Sequence, residues 1–327
     1  MRRILLFGSI VALALVVNLV GFGRVSRTLA QESTPATACV APELPPATPV
    51  PVEGGTEHDH EATPEAQAET EDADPMSLAT PEGEAPADEA TAAATIAGVE
   101  NLIACINTGD YVGLTALMTE SFIHTVLGVP SAADVPATFD GAVPLEVVSL
   151  DNVLTYEDVS SSVDIVYTGL FNGPGGISAE RWFIVEDDGF LKINFLAPIA
   201  MPDGALPEAV VVDVTMVDYA FALGQSTLPA NTPIIFRLAN TSAGGEGHVA
   251  VLVTYPEGTT PETLISGESD VEASTAFLAE VYLDPGQTGD MAVTGLEAGT
   301  YFLVCYVATP DGTPHHDLGM VAQVTVE

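Results

Sequence analysis

Basic residues are almost missing from this chain: 7 Lys plus Arg stand against 46 Asp plus Glu, a formal net charge of −39 over 327 residues. Four of the seven, Arg2, Arg3, Arg24 and Arg27, fall in the first thirty residues, leaving Arg181, Lys192 and Arg237 for the rest. That scarcity excludes a nucleic-acid partner, because phosphate backbones are held by Lys and Arg footprints. It also disfavours binding to an anionic membrane surface. What it favours is a basic partner protein, whose encounter an acidic surface speeds at low salt; solubility alone is the other use of such charge. Cysteine is equally scarce, with Cys39, Cys105 and Cys305 the full set. A Cys39 to Cys105 bridge is permitted in an oxidising compartment and leaves Cys305 free, but Cys105 packed as a small hydrophobe serves equally well.

Apolar runs of membrane-spanning length are confined to the N-terminus, where Arg2 and Arg3 precede Ile4 to Phe22 and the small residues Thr28-Leu29-Ala30 follow. This is the layout of a signal peptide over residues 1–30, which places the remainder in an extracytoplasmic or secreted location. An uncleaved anchor is the alternative, and only then is the membrane a partner. Residues 31–86 are Pro, Ala, Thr and Glu with few large apolar side chains, so they read as a disordered acidic linker that cannot bury a core. Its TEHDHE stretch carries His58 and His60, read as solvated polar residues.

From 87 to 200 the pattern is helices, then strands. Ile96, Val99, Ile103 and Ile106 form one stripe on a helix ending near Gly109, and a second helix starts at Asp110 with Leu114, Leu117 and Met118 inward. The period then changes to two in SVDIVYTGLF and in ERWFIVEDDGFLKINFL, where Asp187-Asp188-Gly189 reads as a hairpin turn. Helices followed by a strand meander make an α+β unit. With its INTGDYVGLTALMTESF helices and WFIVEDDGFLKINF hairpin it resembles the nuclear-transport-factor-2-like (SnoaL-like) fold, a cone of curved sheet on helices. That resemblance implies either an enzyme with an acid/base pair, for which His124 and Asp110 are the candidates, or an accessory ligand-binding role. The accessory role is the reading adopted, so no catalytic residue is assigned and the protein is not read as an enzyme.

Helices are missing from 208–327 save for a turn or two in PETLISGESDVE, and the segment instead holds seven or eight short strands between Gly, Pro and Asp turns, the pattern of an all-β Greek-key sandwich. This segment also holds His248, Cys305, His315, His316 and Met320. Two imidazoles, a thiolate and a weak axial thioether are the donor set of a blue-copper site. The approach FRLANTSAGGEGH, the LDPGQT turn, the GLEAGTYFLVC strand and the histidine-to-Gly-Met ending resemble the cupredoxin (plastocyanin/azurin) family. The resemblance implies one type 1 copper held by His248, Cys305, His315 and Met320, and single-electron transfer. His316 is the ligand in a register one residue shorter. Nine residues intervene between Cys305 and His315, more than is usual between those ligands, and ATPDGTP within them carries turn signals that let the loop fold outward while its ends stay close. No second His-rich cluster supports a multicopper enzyme, and the different-class alternative is a copper-free or copper-sequestering binding module. The chain is thus read as multi-domain, a cone-like α+β unit followed by a cupredoxin-like sandwich.

Overall fold

The structure is a computed structural model that describes residues 38–42, 83–157 and 160–327. The expected signal segment, most of the expected linker and His58 and His60 lie outside the described residues.

Helix α1 (Glu89–Thr108) begins where the Asp88 side chain accepts the Thr91 N–H at 2.8 Å and ends at Gly109, whose φ of 70° is the left-handed stop that glycine adopts without steric cost. By length and composition α1 could cross a bilayer, yet Val99, Leu102, Ile103 and Ile106 are buried with Ile165 and Trp182 in one apolar core. Helix α2 (Tyr111–Ala116) starts at Asp110, which accepts the Gly113 N–H at 2.9 Å, and Leu114, Leu117 and Met118 are buried. The reading of 31–86 as one continuous linker needs correcting at both ends. Cys39 is bridged to Cys105, and Asn101 clasps Val40 through bonds of 2.9 and 2.7 Å to its N–H and C=O. At the other end β1 (Ala85–Pro86) pairs with β2 (Val143–Thr155).

Strands β2, β3 (Ser161–Leu170), β4 (Gly176–Asp187) and β5 (Phe190–Pro198) form an antiparallel meander beneath the helices. Asp188 and Gly189, at φ 54° and 77°, make the β4–β5 connection a two-residue hairpin with both central residues left-handed. The remaining strands are β6 (Val210–Val217), β7 (Ala220–Leu223), β8 (Thr227–Leu228), β9 (Ile234–Asn240), β10 (His248–Thr254), β11 (Ala276–Leu283), β12 (Thr288–Val293), β13 (Gly299–Val304) and β14 (Val321–Val326). They make two sheets, β11-β10-β13-β14-β8 and β12-β9-β6-β7, whose inner faces bury Leu303, Leu252 and Val324 against Phe236, Leu238 and Met216.

The two halves share one sheet. β4 pairs with β12 through Met291↔Ser178 to Val293↔Gly176, joining the meander and half of the sandwich into nine hydrogen-bonded strands. Glycines also let the start of β4 lie close on β11 of the other sheet: a Cβ at Gly173 or Gly176 would run into the carbonyl oxygen of Phe277 or Leu278. The seam is tied further by Gly173 N–H to Leu278 O and Thr294 N–H to Gly175 O, both 2.9 Å.

Candidate metal centre

Antiparallel pairing decides where the chemistry-bearing residues meet. β10 runs against β13 and β13 against β14, so the start of β10, the end of β13 and the start of β14 fall at one end of the sandwich. His248 opens β10, Cys305 follows β13 directly, and Met320 immediately precedes β14. The Cys305 N–H donates to Met320 O at 3.2 Å and the Met320 N–H to His315 O at 3.0 Å, which fixes the three residues in backbone register. The nine-residue excursion between Cys305 and His315 is zipped rather than loose. Ala308 bridges Pro314, the Thr309 and Thr313 backbones are bonded at 2.9 Å, and the His315 N–H reaches Val307 O at 2.7 Å. Gly312 takes the tight corner at φ 92°, and the Asp311 carboxylate accepts from the Thr313 N–H at 3.2 Å and from the Thr309 hydroxyl. The excursion therefore folds out and returns its ends together.

The result is a converging donor set. One ligand atom each from His248, Cys305 and His315 lies within 4.8 Å of the others. Nδ1 of His248 is 3.1 Å from Nδ1 of His315, and Cys305 Sγ is 3.5 Å from that same His315 Nδ1. His248, Cys305, His315 and Met320 each have 0% exposure. Burial sets their protonation: it holds both imidazoles below the ordinary histidine range, with the neighbouring His315 adding to the effect on His248. It also pushes the Cys305 thiol up to about 11.

The outer edges of the rings are less well provided for. Among the described residues, four buried polar side-chain atoms have no hydrogen-bond partner, and three of them, His248 Nε2, His315 Nε2 and Glu246 Oε2, are here. The carboxylates nearest to them are Asp218, 3.7 Å from His248 Nε2, and Glu246, 3.3 Å from His315 Nε2. Tyr219 packs on His315 with the rings tilted by 60° and their centroids 4.8 Å apart.

No family model and no curated protein matches the chain. Solved structures do resemble part of it. Auracyanin from Roseiflexus castenholzii is 22% identical, over 37% of this chain and 98% of its own, with a TM-score of 0.26. Auracyanin A from Chloroflexus aurantiacus, a "blue" copper protein, is 21% identical over 36% and 99%, also at 0.26. Rusticyanin from Thiobacillus ferrooxidans is 18% identical over 37% and 78%, at 0.25.

His316 is not part of the cluster. Its Nδ1 lies 3.2 Å from the Cys305 carbonyl oxygen, its ring meets Tyr306 edge-on, and it is 7% exposed, so it is a buried brace for the Cys305 backbone and not a solvent-facing residue. His124 and Asp110 are not brought together as an acid/base pair. Asp110 caps α2, while His124, on the exposed side of a short helical turn, has Nδ1 2.9 Å from Val129 O and Nε2 4.0 Å from Glu120. Sequence reasoning passed over Asp218, Tyr219 and Glu246. Glu246 stands two residues before His248, which was a usable signal; Asp218 and Tyr219 arrive from the β6–β7 turn, and nothing local announces them.

Proposed function

We propose that this chain is an exported protein whose C-terminal sandwich binds one copper ion at His248, Cys305, His315 and Met320 and passes single electrons. The observation that carries this is the buried convergence of two Nδ1 atoms and one Sγ. The donor set fits: two imidazoles and a thiolate with a thioether are soft and borderline ligands suited to copper. When bound, copper would supply a one-electron Cu(II)/Cu(I) couple. The protein's own contribution is to exclude water, keep both imidazoles neutral with Nδ1 inward, and release the Cys305 proton on metal uptake. A pre-zipped loop limits rearrangement around the ligands. The Cys39–Cys105 bridge agrees with an oxidising compartment.

The test is titration of the purified protein with Cu(II). One equivalent should bind with an intense visible thiolate-to-copper charge-transfer band. A colourless protein, or one stripped of all metal by a weak chelator, would remove the reading. The complete enclosure of all four side chains favours a second use of the same site, copper sequestration. Repeated reduction and reoxidation by a small redox reagent without metal loss supports electron transfer, and an ion that cannot be cycled supports sequestration.

The redox partner we propose is a basic protein, drawn by the acidic surface. Its association rate should fall steeply as salt rises, since exposed charges are screened within about 10 Å at 0.1 M; a salt-independent rate would remove that partner class. The helix-and-meander unit, in this reading a nuclear-transport-factor-2-like module, serves as an accessory binder. An open concavity of about 310 Å³ lined by Met118, Ile123, His124 and Lys192 offers the place, and a screen of small carboxylic acids by ligand-observed NMR would detect the binding or rule it out for that class.

A further inference from the structure

The two histidines of the centre present opposite edges to different chemistry. Their Nδ1 edges face each other and the Cys305 sulfur, whereas their Nε2 edges face outward to Asp218 and Glu246. A neutral imidazole carries a single ring N–H, so a ring that offers Nδ1 to a metal must carry its proton on Nε2. In a fully buried ring that proton needs an acceptor. Each Nε2 has one carboxylate oxygen within 4 Å, and Glu246 Oε2 is itself buried and without a partner.

The carboxylates are also held in place. Asp218 accepts from the Ser242 hydroxyl through Oδ1 and from the Gly244 N–H through Oδ2 at 2.9 Å, so it braces the glycine-rich loop leading into His248. Asn240 supports the same loop from below, donating to Glu246 O and to Leu283 O, both at 3.0 Å. Gly247 passes so close beneath Tyr282 that a Cβ would run into its hydroxyl.

We propose that Asp218 and Glu246 are positioning residues of the metal centre, Asp218 for His248 and Glu246 for His315. They fix each ring with Nδ1 inward and place two negative charges behind the imidazoles, which favours the oxidised ion over the reduced one. Carboxylates behind metal-bound histidines orient the ring and raise its basicity as a ligand. This inference rests on the copper reading above, and it adds a direction to the potential that the four ligands alone do not give.

The experiment compares the full chain with Glu246→Gln, Asp218→Asn and, as a charge-matched control, Glu257→Gln, on an exposed turn beyond the end of β10 opposite His248. Each copper-loaded protein is titrated redox-wise at fixed pH and ionic strength. The amide variants should keep the charge-transfer band while their Cu(II):Cu(I) ratio at a given potential falls three- to tenfold, a tenfold change being ~59 mV for a one-electron couple; Glu257→Gln should move it far less. A second readout uses the Zn(II)-loaded protein, whose two Nε2–H protons are followed by imidazole ¹⁵N NMR. Glu246→Ala should speed exchange of the His315 proton at least tenfold and leave His248 alone, and Asp218→Ala the reverse. If an alanine variant does not fold, the isosteric amides carry the test through the potential. Potentials no different from the Glu257→Gln control, in proteins that keep their band, would overturn this inference and leave the copper reading standing. A parent chain that takes up no Cu(II) overturns both.

Discussion

At the scale of single residues, two adjacent histidines have opposite fates. His315 N–H is tied back to Val307 and its ring turns inward; His316 is anchored one position later to the carbonyl of Cys305. His315→Ala should therefore abolish the charge-transfer band of the copper-loaded protein. His316→Ala should keep it and lower stability by about 1 kcal/mol, the usual worth of one hydrogen bond, measured by urea unfolding. Reversal of these two results would move the ligand assignment by one residue. Away from the metal, Glu280 on β11 is the residue with the clearest pH signature. Burial first, and the negative Glu180 second, push its carboxyl from an ordinary 4.5 up to about 7. Glu180 itself accepts from the Tyr167 hydroxyl at 3.0 Å and the Trp182 Nε1–H at 2.9 Å. A carboxyl raised by folding favours the folded state while protonated, so its contribution is full below 4.5 and is lost as pH rises through 7. Glu280→Gln should raise Tm at pH 8 by about 2–4 °C, the shift that ~1 kcal/mol produces in a chain of this size. At pH 4 the two proteins should melt together, and an equal gain at both values would show that ionisation is not the cause.

At the scale of elements, the Cys305 to His315 excursion is the feature that decides whether a long connection is compatible with a compact site. Loop length by itself costs little, about 0.6 kcal/mol per doubling, whereas a misdirected corner would pull His315 away. Gly312 makes the corner in a conformation that a β-branched residue adopts only under strain. Gly312→Val should lower stability by about 1–2 kcal/mol, measured as a reduced urea midpoint, and should weaken Cu(II) retention in a chelator competition. Unchanged retention would mean that the ligands are held by the β13–β14 pairing alone. The ATPDGTP turn signals were legible because Pro, Asp and Gly each restrict or permit particular backbone angles locally.

At the scale of the whole molecule, the continuous sheet through β4 and β12 joins what composition alone reads as two independent units. Next to that pairing the chain at the start of β4 also passes close over β11, which glycines at 173 and 176 allow, because a Cβ at either would meet the Phe277 or Leu278 carbonyl oxygen. Gly176→Val should force the strands apart and split one cooperative thermal transition into two, seen by calorimetry. A single transition at reduced Tm would show that the two cores remain coupled through the surrounding contacts. The Asp290 carboxylate adds to the joint, accepting the Met201 N–H at 2.9 Å from the segment that links the halves.

What the sequence by itself determined is local or periodic. The end of α1 at Gly109 and the start of α2 at Asp110 came from local stop and cap chemistry; the β4–β5 hairpin came from Asp188-Gly189; the strand runs of the sandwich came from period-two and apolar patterning; and the donor types came from His, Cys and Met in a given order. Each depends on interactions within a few residues, or on chemistry that a side chain carries wherever it sits. What only the tertiary structure decided is set by strand pairing across long separations. Register brought Asp218 from the β6–β7 turn to His248, turned His315 inward and His316 away, placed Glu280 beside Glu180, and fused the two halves into one sheet. The Cys39–Cys105 bridge, left open in the sequence, belongs to the same class, because only the folded helix holds Cys105 where residue 39 can reach it.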